Sequence, residues 1–238
     1  MCGIFGVIAN SKSAISVSEL ITLAERLLVS SEIRGREASG ILFAVNGHAI
    51  VIKAAVAAKQ LLSTLAYKEG CEQFIRATGL KSSAKISQPT VILGHARMAT
   101  SGDIETYEDN QPIVTDRTIG VHNGIVVNNE EIWRQNPSLI RHKEVDSEII
   151  FELLGNQLSE STADLNSLNN LLKSIDGQCS FVSVHRDLDA VFFATNNGSL
   201  YSVIGAAEQP RIFGSERRII SSALKNYHHR LLMKIPMY

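Results

Sequence analysis

The sequence predicts an α+β fold, a single domain of packed sheets with helices on the outside. Three observations predict it. Strand-like runs open the chain and return late in it. Helical periodicity fills the stretches between them. No linker, internal repeat or break in composition divides the 238 residues. A chain of this length holds one large domain or two small ones, and the lack of any boundary favours one.

Cys2 to Ala9 is a short apolar run with two glycines and reads as a buried strand. Ser16-Val17-Ser18-Glu19 has the form of a capping box. Leu20, Ile21, Ala24, Leu27 and Leu28 follow at helical spacing, which predicts about four turns of amphipathic helix. Arg34 to Gly40 reads as a loop. Ile41 to Val45 and Ala49 to Ile52 flank Asn46-Gly47, whose residues suit a type I′ turn, so a hairpin is expected. Residues 57–77 read as helix in two pieces broken near Gly70. Thr90 to Arg97 reads as a strand, and Ile119 to His122 as a shorter one ending at Asn123-Gly124. Asp146 opens a helix through Ile149, Ile150, Leu153 and Leu154, and another is expected over residues 163–175. Strands are then expected over 179–185, 190–194 and 200–204. Turns at Asp187-Leu188-Asp189 and Asn196-Asn197-Gly198 join them.

Composition excludes several classes of function. Hydrophobic residues are 45% and charged residues 20%, enough apolar chain to bury a core. The formal charge of −1 lacks the footprint of a nucleic-acid binder. No apolar run approaches the roughly 20 residues of a membrane span. Cys2, Cys71 and Cys179 are too scattered for a disulfide framework, which points to a reducing compartment. With no basic-then-apolar leader at the start, a cytoplasmic protein is expected.

Five positions are candidates for chemistry, each with a plainer alternative. Cys2 is either the first residue of a core strand or, once Met1 is removed, a thiol with a free α-amine on the same residue. That amine could serve as the local base, so no histidine would be needed. Arg97, entering a Thr/Ser/Gly loop, suits bidentate capture of a carboxylate, or it pairs with a surface acid. Asn123 and Gly124 suit an oxyanion hole, or they form an ordinary turn. Asp146 suits a ligand ammonium, or it caps a helix. A zwitterionic ligand wants one cation and one anion at opposite ends of its pocket, and Arg97 with Asp146 would supply them. The seven histidines show no metal-ligand spacing, and no Gly-rich phosphate loop is present, so neither metal nor cofactor is expected.

Taken together, the motifs form an ordered set. They are Met1-Cys2-Gly3-Ile4-Phe5-Gly6, Arg34-Gly35-Arg36-Glu37-Ala38-Ser39-Gly40, Gly94-His95-Ala96-Arg97-Met98-Ala99-Thr100-Ser101-Gly102, Asn110-Gln111-Pro112, Val121-His122-Asn123-Gly124-Ile125 and Val145-Asp146-Ser147-Glu148. This order resembles the glutaminase domain of class II glutamine amidotransferases, an N-terminal-nucleophile hydrolase. The resemblance runs from residue 2 to about residue 222, with Phe213-Gly214-Ser215-Glu216 near its end. Residues 1–222 are then the amidotransferase domain. Residues 223–238 form a C-terminal tail, a candidate docking segment or a solvated helix.

The resemblance implies a four-layer αββα sandwich of two antiparallel sheets. It implies that Cys2 attacks the side-chain amide of L-glutamine, passes through a thioester and releases ammonia and glutamate. By the same resemblance Arg97 holds the substrate carboxylate and Asp146 its amine. Asn123 and the Gly124 N–H stabilise the oxyanion, Thr100 and Ser101 line a closing loop, and Arg34 and Gly35 support the Cys2 end. The motif around Asn123 is most similar to the glutaminase half of glucosamine-6-phosphate synthase. Met98 stands where that branch usually has tryptophan, and Ser101 where it has histidine. The chain length leaves no room for sugar-isomerase domains, so a separate ammonia-accepting synthase subunit is the expected partner. Three other readings stay open: a γ-glutamyl amide or peptide hydrolase of the same superfamily, a non-catalytic glutamine-sensing or structural subunit, and a fragment of a longer polypeptide.

Overall fold

The computed structural model describes residues 2–98, 103, 105–158, 165–203 and 208–225. Thr100, Ser101 and residues 226–238 of the tail lie outside the described residues, as do the first residues of the helix expected over 163–175.

Two antiparallel sheets face each other. The larger holds β1 (Gly3–Ala9), β2 (Ala38–Val45), β3 (His48–Ala54), β4 (Thr90–Arg97), β9 (Tyr201–Val203) and β10 (Arg211–Gly214), in the order β3-β2-β4-β1-β10-β9. The smaller holds β5 (Ile113–Val114), β6 (Thr118–Val126), β7 (Gly177–His185) and β8 (Leu188–Thr195), in sequence order. Alternation along the strands sorts side chains into three cores. Ile4, Leu42, Leu93, Val121, Val182 and Phe213 fill the space between the sheets. Phe5, Val7, Phe43 and Ile92 face outward beneath the helices of the larger sheet. Phe151, Phe181 and Cys179 belong to the core outside the smaller sheet.

The first helix layer consists of α1 (Val17–Ser31), α2 (Ala58–Ser63), α3 (Leu65–Thr78) and α7 (Arg217–Leu224). The other consists of α4 (Asn129–Gln135), α5 (Ser147–Gln157) and α6 (Leu165–Ser174). Helix, sheet, sheet and helix are thus stacked, as the motif order implied. The capping box before α1 forms in full: Ser16 Oγ accepts from Glu19 N, and Glu19 Oε2 accepts from Ser16 N at 2.8 Å. The β2–β3 turn carries Asn46 at φ 51° and Gly47 at φ 73°, both left-handed, as a type I′ turn requires.

Several local expectations are corrected. The helical break lies at Thr64, not Gly70. Thr64 is extended (ψ 154°) and its hydroxyl caps α3 by accepting from Tyr67 N at 3.1 Å. Gly70 stays helical within α3, and the Ile52 side chain occupies the space a Cβ would need, which seats α3 closely on β3. Ala38 to Gly40 belong to β2 rather than a loop, because they pair with β3 and β4. The turn after β7 is Arg186-Asp187, closed by Asp187 N donating to His185 Nδ1 at 3.1 Å, and Leu188 already pairs with His185. Apart from these corrections, α7 spans Arg217–Leu224 and buries Ala223 against α1. β5, β10, α4 and α7 carry too few residues for a period to show.

Candidate active site

β1 lies between β4 and β10, so the chain's first strand is central in its sheet. Gly3 pairs with Ala96, which brings Cys2 level with Arg97 at the end of β4. On β4, Leu93, His95 and Arg97 alternate onto the inter-sheet side. On β6, Ile119, Val121 and Asn123 do the same. Continuing the Ile4 face of β1 by two residues reaches Cys2. Three strands from two sheets therefore deliver Cys2, Arg97 and Asn123 to one end of the gap between the sheets.

Cys2 is 8% exposed, and its Sγ lies 3.5 Å from the Met98 carbonyl. Burial pushes its thiol pKa up, the Arg97 guanidinium pulls it back, and the Asp146 carboxylate raises it further. Both charges therefore act on the sulfur, one of each sign. Arg97 is buried, and its Nη1 donates to Asn110 Oδ1 at 2.6 Å and to the Asp109 carbonyl at 3.3 Å. It is not a surface arginine.

Asn123 is fully buried, yet neither its Oδ1 nor its Nδ2 has a hydrogen-bond partner among the described residues. An unpaired buried polar group costs about 1–3 kcal/mol, and most buried polar groups in folded proteins are partnered. Asn123-Gly124 is not a turn. β6 runs on to Val126, and Gly124 pairs with Cys179. Gly124 has φ 154°, and a Cβ there would overlap the Gln178 carbonyl oxygen. A glycine is thus required both for the backbone angle and for space.

Asp146 occupies the N-cap position of α5 but makes no capping bond with its side chain. Its Oδ2 instead accepts from Val126 N at 2.8 Å, two residues beyond Gly124. The plainer reading of Asp146 as a helix cap is therefore corrected: the carboxylate faces the β6 strand that carries Asn123. Ser147, next in sequence, lies 2.9 Å from His122 Nδ1 through its Oγ.

Arg34 and Gly35 sit behind this end of the site. A Cβ on Gly35 would collide with the Arg97–Met98 peptide. Arg34 pairs with Glu216 through its Nη1, and Ser215 exchanges hydrogen bonds with Ile4: Ile4 N donates to Ser215 Oγ at 3.1 Å, and Ser215 N donates to the Ile4 carbonyl at 2.8 Å. The late Phe213 to Glu216 motif thus clamps the strand that carries Cys2.

Some supporting residues were not assigned from sequence. Asn110 holds Arg97. Gln111 brackets β6: His122 N donates to its Oε1 at 2.6 Å, and its Nε2 donates to the His122 carbonyl at 3.1 Å. The buried Glu148 carboxylate accepts from the backbone N–H groups of His142 and Lys143 and pairs with Lys143 Nζ at 3.2 Å, fixing the approach to Asp146. The Asn110-Gln111-Pro112 and Asp146-Ser147-Glu148 motifs were visible, but nothing local assigns these partners. His95 and His122 are buried in β4 and β6. Among the described residues, no cluster of side chains could hold a metal ion.

A family model described as a glutamine amidotransferase domain matches residues 95–222. The glutamine–fructose-6-phosphate aminotransferase (isomerizing) of Bartonella quintana is 27% identical over 224 residues, covering 93% of this chain and 33% of that protein. The amidophosphoribosyltransferase of Methanocaldococcus jannaschii is 31% identical over 101 residues, covering 40% of this chain and 21% of that protein. The chain therefore spans about a third of the length of the first of these relatives. Among solved structures, the glutamine phosphoribosylpyrophosphate amidotransferase of B. subtilis superposes with a TM-score of 0.63 at 21% identity, over 97% of this chain and 44% of that one. The paired antiparallel sheets match the N-terminal-nucleophile hydrolase fold of its glutaminase domain. Sequence and fold thus agree, and the chain belongs to the glutamine amidotransferase domain family.

Proposed function

We propose that this domain is a glutaminase that hydrolyses the side-chain amide of L-glutamine and hands the ammonia to a separate synthase partner. The observation that carries the reading is Asn123, a fully buried amide with no partner among the described residues, at the end of the gap that Cys2 and Arg97 share. Arg97 and Asp146 act on the Cys2 sulfur with opposite charge, and glutamine carries the complementary pair on its α-carbon.

Removal of Met1 gives Cys2 a free α-amine. That amine takes the thiol proton as the sulfur attacks the amide carbonyl carbon of glutamine. Asn123 Nδ2 and the Gly124 N–H stabilise the resulting oxyanion. The C–N bond breaks, the leaving nitrogen takes the proton, and ammonia departs. A γ-glutamyl thioester remains on Cys2. Water then attacks it, glutamate leaves and the thiol is restored. Arg97 binds the α-carboxylate, Asp146 the α-ammonium, and Thr100 and Ser101 contribute to substrate binding.

The test is direct. Purified protein, with removal of Met1 confirmed by mass, should convert glutamine to glutamate. An electrophilic glutamine analogue should add one equivalent at Cys2. Processed protein that releases no glutamate, either alone or with its co-purifying partner, sinks the reading.

A further inference from the structure

Outside the groups already assigned, Lys53 is the least ordinary side chain among the described residues. It lies on β3 and is 6% exposed. Its Nζ donates to three backbone carbonyls: Asn110 at 2.7 Å, Pro112 at 3.1 Å and Glu108 at 3.3 Å. The ammonium also lies 4.8 Å from the centre of the Tyr107 ring. It makes no ion pair among the described residues. A buried ammonium without a paired carboxylate costs stability that a methionine of similar length would not. Its place is therefore explained by what it holds.

What it holds is the segment that joins the two sheets. Residues 107–112 follow the end of β4 and lead into β5. On β2, Gly40 is the cross-strand partner of Lys53. A Cβ at Gly40 would collide with the Gln111 carbonyl oxygen and lie 2.8 Å from Lys53 Cβ. The small residue and the long one thus form a socket, with Gly40 admitting the backbone and Lys53 gripping its carbonyls. The gripped segment carries Asn110, whose side chain holds Arg97 at 2.6 Å.

We propose that Lys53 is a positioning residue for substrate capture, seating residues 107–112 so that Asn110 aims Arg97 at the α-carboxylate of glutamine. This rests on the glutaminase reading above. Lys53 touches no reacting atom, so its removal weakens binding rather than chemistry. Burial lowers the ammonium to about 8, with Lys143 adding to that effect and Glu108 and Asp109 opposing it. The grip therefore slackens as the pH passes that value.

The experiment measures steady-state glutaminase activity of the full chain with the substitutions K53M and N110A, singly and together. K53M is expected to raise KM about tenfold while kcat changes less than about threefold. Because both residues act through Arg97, K53M added to N110A should raise KM by less than about threefold. A K53M KM within about twofold of the parent, a fall in kcat alone, or effects that multiply fully in the double variant would each overturn the proposal. Hydrogen exchange of the parent at 107–112 decides the case if K53M does not fold. After correction for intrinsic pH dependence, exchange should accelerate above about pH 8, and a flat profile refutes the grip. That measurement needs no turnover. A parent that releases no glutamate would sink the glutaminase reading, while the exchange profile would still report on Lys53.

Discussion

Asn123 shows a residue whose cost to the fold points to its use. Its amide is buried with no partner among the described residues, whereas most buried polar groups are paired. Asn123→Ala is expected to lower kcat for glutamine hydrolysis by about 10²–10³, the usual effect of removing one oxyanion donor. Its urea midpoint should hold or rise, because the unpaired group is gone. A loss of stability together with unchanged kcat would refute the assignment. Cys2→Ala should abolish glutamate release while calorimetry still detects glutamine binding, since Arg97 and Asp146 remain. At this scale the sequence supplied identities but not environments. Nothing local distinguishes an Arg97 held by Asn110 from one on the surface, or an Asp146 facing Val126 N from one that caps its helix.

Among the elements, legibility followed the range of the interactions. The Ser16-Glu19 box and the Asn46-Gly47 turn depend on residues no more than three apart, and both form as read. Ser16→Ala should cost about 0.5–2 kcal/mol in denaturant unfolding, since the Glu19 N–H loses its hydroxyl acceptor while the bond from Ser16 N to Glu19 Oε2 remains. A change smaller than that range would mean the helix is held by packing alone. Both the break at Thr64, set by its cap on α3, and the continuation of β6 through Gly124, set by pairing with β7, were misread. Ile52 fills the space above Gly70, and the pairing of β6 with β7 carries the strand through Gly124. Gly124→Ala forces a side chain onto φ 154° and into the Gln178 carbonyl. It should destabilise the fold by about 1–3 kcal/mol and depress activity with it.

The whole molecule should be acid-sensitive, because its inter-sheet gap holds a histidine that resists protonation. Burial drives the His95 pKa down to about 3, and Arg97, His122 and Lys53 add to the effect. Burial lowers the His122 pKa as well, partly offset by Asp146. A folded pKa below the unfolded value of about 6.5 means the unfolded chain binds the extra proton. Stability should therefore fall as pH drops from about 6.5 toward 3, at up to about 1.4 kcal/mol per pH unit for His95. Urea unfolding between pH 4 and 7 measures the slope, and His95→Gln should flatten it. An unchanged slope in that variant would place the acid sensitivity elsewhere.

The sequence by itself determined the class of fold, most of the strands and helices, and the family, because periodicity, caps and ordered motifs lie within a few residues of one another along the chain. Only the tertiary structure decided that Cys2, Arg97 and Asn123 meet, that Asp146 turns toward β6, and that Lys53 grips residues 107–112. Those outcomes depend on strand order and register across two sheets, which bring together residues as far apart as Ile4 and Ser215. Closing such long loops is directed by the packing of the whole core, and no short stretch of chain encodes it.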